Sequence, residues 1–209
     1  MEKSITQKFA DLEIEQVLDL IKNEIKKGTN PQSILKACQD GTEIIGQKFE
    51  KGEYFISDLM MSGDMFKQVS ELVKPLFKGK SDIKSSGKVV IGTVAGDIHD
   101  IGKDIVISML ESNNYTVYDL GIDQKKEVFV EKVKETGATV VALSGLLTIA
   151  FDSMKETIEA LKTTKMKDKV KVMIGGGPVN QTVCDYTGAD GWGDSAHTAV
   201  KLCKEWLGK

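Results

Sequence analysis

The stretch Val89-Val90-Ile91-Gly92-Thr93-Val94-Ala95-Gly96-Asp97-Ile98-His99-Asp100-Ile101-Gly102-Lys103 passes from an apolar, β-branched run into a glycine-bounded polar loop and then into a helical pattern. A short apolar run of this kind reads as a strand buried on both faces. Four more such runs follow, at Thr116–Leu120, Thr139–Leu143, Lys171–Ile174 and, shorter, Asp190–Trp192. Helical spacing fills the intervals, centred on 101–113, 125–136, 154–163, 179–186 and 196–207. Five β–α units predict a parallel sheet covered by helices on both faces.

With right-handed crossovers, the strand order expected for this α/β pattern is the flavodoxin-like 2-1-3-4-5. Ligands of such sheets bind outside the carboxyl ends of the strands, at the break between the first and third. The loops to inspect are those after Val94, Leu143, Ile174 and Trp192.

Upstream the period changes. Ile5, Phe9, Leu12, Val17, Leu20, Ile21 and Ile25 keep helical spacing before Gly28, and Asn30-Pro31 predicts an N-cap followed by a first-turn proline. A helix carrying Ile34, Leu35, Cys38, Ile45 and Phe49 follows, and another runs from about Ser57 to Pro75, with the turn 51–55 between them. These helices predict a small bundle. The polar Ser/Gly/Lys segment after it predicts a linker. The expected organisation is a helical domain over 1–78, a linker over 79–88 and an α/β domain over 89–209.

Composition removes several classes. The 28 basic and 31 acidic residues leave a net charge of −3, and every basic residue is Lys. Nucleic-acid recognition needs a basic footprint and leans on Arg, so no nucleic-acid partner is expected. The apolar run Val140–Phe151 is broken by Ser144, Gly145 and Thr148 and is too short to span a bilayer. The N-terminus lacks a signal-type apolar stretch, and three scattered cysteines form no CxxC pair. These features predict a cytoplasmic protein that does not enter a membrane.

The inspected loops hold chemistry. After the first strand comes Gly96-Asp97-Ile98-His99-Asp100-Ile101-Gly102, after the third Ser144-Gly145-Leu146-Leu147-Thr148, after the fourth Gly175-Gly176-Gly177-Pro178, and after the fifth Trp192-Gly193-Asp194. With two histidines in the chain, a zinc site of three or four protein ligands is not readily built. A single His suffices where a macrocycle brings the remaining ligands. A carboxylate two residues away would then hold the other ring nitrogen and fix its tautomer. Taken alone, Asp97-x-His99 equally describes a helix start with an exposed imidazole.

The ordered set Asp97-Ile98-His99-Asp100-Ile101-Gly102, Ser144-Gly145-Leu146 and Gly175-Gly176 resembles the DxHxxG…SxL…GG signature of cobalamin-binding domains. The preceding half is similar to the four-helix cap of methyl-carrying corrinoid proteins, the family that includes the cobalamin module of methionine synthase. The segment 49–55 through Met60-Met61 looks like the part of that cap over the corrin. The resemblance covers nearly the whole chain.

It implies cobalamin or a related corrinoid, with cobalt, as cofactor. The cofactor's own base leaves the metal, its nucleotide tail enters near Ser144 and Gly175, Gly176 and Gly177, and His99 becomes the lower axial cobalt ligand, held by Asp97. Gly96, Ile98, Asp100, Ile101 and Gly102 belong to that loop. Leu146 and Thr148 would line the tail or corrin edge, Trp192 would border the tail or pack the domain, and Phe55 or Met61 would face the cofactor from the cap. In the family pattern a hydroxyl residue six positions after the serine extends the His–Asp relay; here that position is Ala150.

The implied role is carriage of a methyl group between a substrate-specific methyltransferase and a second one using tetrahydrofolate or a thiol cofactor, with a reductive activase as further partner and no catalytic residue of its own. The cap would swing aside on the linker. A cobalamin-dependent sensor is the alternative role, while a receiver domain is excluded because Ser144 stands where its acidic phosphoacceptor would. Beyond the site, His197 is expected to be a solvated surface residue, and Cys184 and Cys203 to be small apolar fillers.

Overall fold

The computed structural model describes residues 2–76, 85–164 and 169–208. The chain divides into two units, Met1–Lys84 and Ser85–Lys209.

The first unit contains α1 (Glu2–Ala10), α2 (Ile14–Lys26), α3 (Pro31–Glu50) and α4 (Ile56–Val73), followed by a 3-10 turn at Lys74–Leu76. The apolar spacing of 5–25 reads as one helix but is two, because Leu12 adopts φ +59 and ends the helical path. Asn30 caps α3 as expected, accepting from the Gln32 N–H at 2.8 Å ahead of Pro31. The bundle core is built from Ile5, Phe9, Val17, Ile21, Ile34, Ile45, Leu59, Met65 and Val69, all fully or nearly fully buried. Phe9 and Phe66 meet edge to face, with ring centroids 6.5 Å apart, which is the favoured geometry of an aromatic pair.

In the second unit, β1 (Gly87–Thr93), α5 (Ile101–Ser112), β2 (Tyr115–Asp119), α6 (Lys126–Thr136), β3 (Val140–Ser144), α7 (Ala150–Thr163), β4 (Lys171–Gly175), α8 (Gln181–Thr187), β5 (Gly191–Gly193) and α9 (Ala196–Leu207) alternate along the chain. The sheet is parallel throughout, in the predicted order β2-β1-β3-β4-β5. Strand β1 starts two residues before the apolar run, because Gly87 and Lys88 already pair with Tyr115 and Thr116. Gly87 and Lys88, the last two residues of the expected linker, are therefore the first of the sheet. Residues 79–84 of that linker lie outside the described residues. Val90, Val141, Val172 and Ile174 enter one core cluster with Phe129, Met154, Ile158 and Val183. Val89, Ile91 and Val140 are buried as well, so both sheet faces are covered and the near-continuous apolar strands are explained.

Two corrections to the local reading come from packing. His197 is 3% exposed, not solvated. It falls on the buried face of α9 with Ala196, Ala199, Val200 and Cys203. Helix α7 starts at Ala150, four residues before the predicted start. Cys184 and Cys203 are buried as expected, and burial pushes the Cys203 thiol up to about 12.

Candidate functional site

The strand register aligns the loops the sequence singled out. Thr93 pairs with Ser144, Ser144 with Gly175, and Gly175 with Gly193, forming one row across the carboxyl edge of four strands. The chain leaves β1 and β3 side by side and then diverges into α5 and α7, which opens the crevice at this switch point.

Asp97 occupies that crevice and is fully buried. One carboxylate oxygen, Oδ1, lies 2.7 Å from His99 Nδ1 and also accepts from the His99 N–H at 3.0 Å. The other, Oδ2, accepts from the backbone N–H groups of Leu146 at 2.6 Å and Leu147 at 2.9 Å. Burial works to raise the carboxyl pKa, but the backbone donors of Leu147, His99 and Leu146 and the His99 ring outweigh it and bring it down to about 2. Asp97 is thus an anion at neutral pH and an acceptor only. It obliges Nδ1 to carry the ring hydrogen of a neutral imidazole, which leaves the Nε2 lone pair for a metal.

The helix-start reading of this pair does not describe the geometry. The residue that caps α5 is Asp100, and it does so with no side-chain hydrogen bond. The carboxylate of Asp97 is spent on His99 and on the loop after β3.

Around His99, whose side chain is 48% exposed, the rim is apolar and open. Ile98 and Ile101 are 67% and 70% exposed, and Leu146, Leu147 and Ile149 are exposed on the loop after β3. A methyl added at Gly96 or Gly102 would meet no protein atom within 4 Å. An apolar rim with an available imidazole nitrogen and vacant space at two glycines fits a large, flat, mostly apolar macrocycle bearing a metal. Thr148 is exposed on the same loop, and Ser144 is half-buried at its start.

On the far side of the edge, Gly176 approaches Gly145 so closely that a Cβ there would stand 1.9 Å from the Gly145 carbonyl oxygen. Gly175 and Gly176 are half-buried and Gly177 is exposed. Trp192 packs against the core cluster and donates through Nε1 to Gln181 at 2.9 Å. Ala150 is fully buried. Where a hydroxyl would extend the relay, Asp97 Oδ2 meets two peptide N–H groups instead. In the helical unit, Phe55 and Met61 are exposed at the start of α4.

Three polar contacts of the loop after β1 escape a reading of sequence alone. Thr93 Oγ1 donates to the His99 carbonyl at 3.2 Å, Ser153 Oγ to the Ala95 carbonyl at 2.8 Å, and Asp123 Oδ1 accepts from the Gly96 N–H at 2.8 Å. Their partners lie 6, 58 and 27 residues away in sequence, and no motif spacing announces them. Lys103 is also buried, its ammonium bound to Asp104 at 2.6 Å and Asp119 at 2.9 Å, which ties the first turn of α5 to the end of β2.

Comparison with known proteins identifies the family. Residues 87–201 match a family model described as a B12 binding domain, and residues 1–74 match a second model of the same description. A corrinoid protein of Desulfitobacterium hafniense is 39% identical over 210 residues, covering 100% of this chain and 93% of that protein. The trimethylamine corrinoid protein of Methanosarcina barkeri is 39% identical over 201 residues, covering 95% and 93%. Among solved structures, a cobalamin-binding protein from Desulfitobacterium hafniense superposes with a TM-score of 0.87 at 38% identity over 99% of this chain and 98% of that one. The methanol:cobalamin methyltransferase complex of Methanosarcina barkeri gives 0.82 at 28% identity over 98% and 78%.

A parallel α/β domain with an imidazole at its switch point, joined to a helical unit, defines a B12-binding protein. The chain belongs to the corrinoid proteins, and its cofactor is a cobalamin-type corrinoid containing cobalt.

Proposed function

We propose that this protein is the methyl-carrying corrinoid subunit of a methyltransferase system, holding the cofactor with its own base off the metal and His99 on it. The observation that carries the reading is the Asp97–His99 pair at the switch point. The similarity to trimethylamine and dimethylamine corrinoid proteins and to a methanol:cobalamin methyltransferase complex supports it.

When bound, the cofactor supplies a cobalt that accepts and gives up a methyl group. The protein's own residues would hold that metal through His99. Asp97 holds the Nδ1 hydrogen and orients the ring, raising the basicity of Nε2. The peptide N–H groups of Leu146 and Leu147 keep the carboxylate anionic, so it remains an acceptor for the Nδ1 hydrogen and leaves the Nε2 lone pair to the metal. Ile98, Ile101, Leu146 and Thr148 would line the macrocycle or its tail, with Gly96, Asp100 and Gly102 on the ligand loop. Ser144, Gly175, Gly176, Gly177 and Trp192 would receive the tail, and Phe55 and Met61 are the cap residues assigned to the cofactor.

The proposed partners are a substrate-specific methyltransferase that loads the methyl group, a second using tetrahydrofolate or a thiol cofactor that removes it, and a reductive activase. The setting proposed is the cytoplasm, where three free cysteines persist reduced. No helix of the described residues is long and apolar enough to cross a membrane.

The test is reconstitution with hydroxocobalamin and methylcobalamin, desalting, and comparison of the visible spectrum with that of His99→Ala. A retained corrinoid whose spectrum changes with the mutation is the expected result. Identical spectra would overturn the assignment of His99.

A further inference from the structure

We propose that Asp123 is a positioning residue for the cobalt ligand, acting through the loop that carries Asp97 and His99; this rests on the His99-on reading above. Asp123 lies on the connection between β2 and α6. It grips the ligand loop at two peptide groups, accepting from the Gly96 N–H at 2.8 Å through Oδ1 and donating its own N–H to the Asp97 carbonyl at 3.0 Å. The two grips bracket Gly96 and Asp97, and Asp97 in turn holds both the ring and the N–H of His99.

The surrounding chain keeps Asp123 in place. Gly121 accepts from the Thr93 N–H at 2.9 Å and Gln124 donates to the Thr93 carbonyl at 2.9 Å, so residues 121–124 run beside the end of β1. Val94 and Gln124 form an isolated parallel bridge there. The Thr93 hydroxyl also donates to the His99 carbonyl at 3.2 Å.

Asp123 adopts φ +52, one of three such non-glycine residues among the described ones. Glycine would occupy this conformation without strain. What the position gains from aspartate is the carboxylate, and its partner is 27 residues away on the ligand loop, not in its own turn. Without that contact the loop samples conformations in which His99 is misplaced, and apparent ligand affinity falls by the fraction of time it is competent.

Asp123→Gly removes the carboxylate while suiting the backbone, and Asp123→Asn keeps a carbonyl acceptor at the same place. The full chain is labelled with nitrogen-15, loaded with natural-abundance cobalamin and reduced to the Co(II) form, and its electron paramagnetic resonance is recorded. A protein nitrogen on cobalt gives doublet splitting; the cofactor's own base gives a triplet.

The wild type and Asp123→Asn are expected to show the doublet at full strength. Asp123→Gly is expected to lower the ratio of ligated to unligated cobalt by about fivefold, the worth of one ordinary hydrogen bond. Because the axial ligand binds Co(II) and not four-coordinate Co(I), the Co(II)/Co(I) midpoint rises by up to about 40 mV, at 59 mV per tenfold for one electron. The melting temperature of the cofactor-free protein stays near wild type. An undiminished doublet and unchanged potential in Asp123→Gly overturn the positioning role alone, and so does a loss of melting temperature with ligation intact. A triplet in the wild type overturns the His99-on reading and this proposal with it.

Discussion

Asp97 accepts four hydrogen bonds, two at each oxygen. Oδ1 takes the ring and the N–H of His99, and Oδ2 takes the N–H groups of Leu146 and Leu147. One buried carboxylate thereby fastens the loop after β1 to the loop after β3 and sets the tautomer of the imidazole between them.

Replacing that carboxylate with its amide isostere should damage folding as well as ligation. Asp97→Asn leaves one acceptor atom where two are used and turns an N–H donor toward other donors. The expected loss is about 1–3 kcal/mol for stranding buried polar groups. Urea unfolding of the cofactor-free protein measures it, and an unchanged midpoint would remove the buried carboxylate from the account.

Acid should unfold the protein through the same group. The Asp97 carboxyl titrates at about 2 in the fold against an ordinary value of 3.8. A lowered folded-state value means the native state resists protonation. Its contribution is therefore complete above about pH 4 and is lost as the pH falls toward 2, on the order of 2 kcal/mol in all. Stability of the cofactor-free wild type followed between pH 5 and 2 should fall more steeply than that of Asp97→Asn.

Two glycines separate conformational from steric demands. Gly96 has φ +84 with no neighbour near an added Cβ, so Gly96→Ala should cost about 1–2 kcal/mol from the backbone alone. At Gly176, φ +138 is joined by a Cβ only 1.9 Å from the Gly145 carbonyl. Gly176→Ala must push apart the loops after β3 and β4, and a loss of about 3 kcal/mol or more is expected. Thermal melting of the two variants side by side checks the ranking, and equal losses would show that the close approach is not maintained.

The thiols should be inert until the protein unfolds. Cys38 and Cys203 are both fully buried, and burial raises each thiol to about 12. Cys184 is raised as well, by burial first and then by the nearby charges of Asp185 and Asp190. A thiol reagent at pH 8 should label the native protein slowly and all three cysteines promptly in denaturant. Rapid stoichiometric labelling of the native protein would contradict the packing.

Much of the architecture was legible one segment at a time. The five apolar runs, the helical spacing between them and the Asn30-Pro31 start of α3 depend on residues within a few positions of each other. Local sterics and side-chain periodicity suffice for such features. So does the placement of Asp97, His99, Ser144 and Gly175 at strand ends, from which the crevice follows once the strand order is known. The break at Leu12 was not legible, since the apolar spacing continues across it while the backbone turns to φ +59.

What only the tertiary structure decided is how those ends meet. The register that sets Thr93 beside Ser144 and Ser144 beside Gly175 places the Leu146 and Leu147 peptides against a carboxylate about fifty positions earlier. It seats Asp123 against Gly96 and Ser153 against Ala95, and it buries His197 on the inward face of α9. Backbone donors and acceptors have no residue-specific signature, so contacts made through them exist in the sequence only as a consequence of the strands pairing.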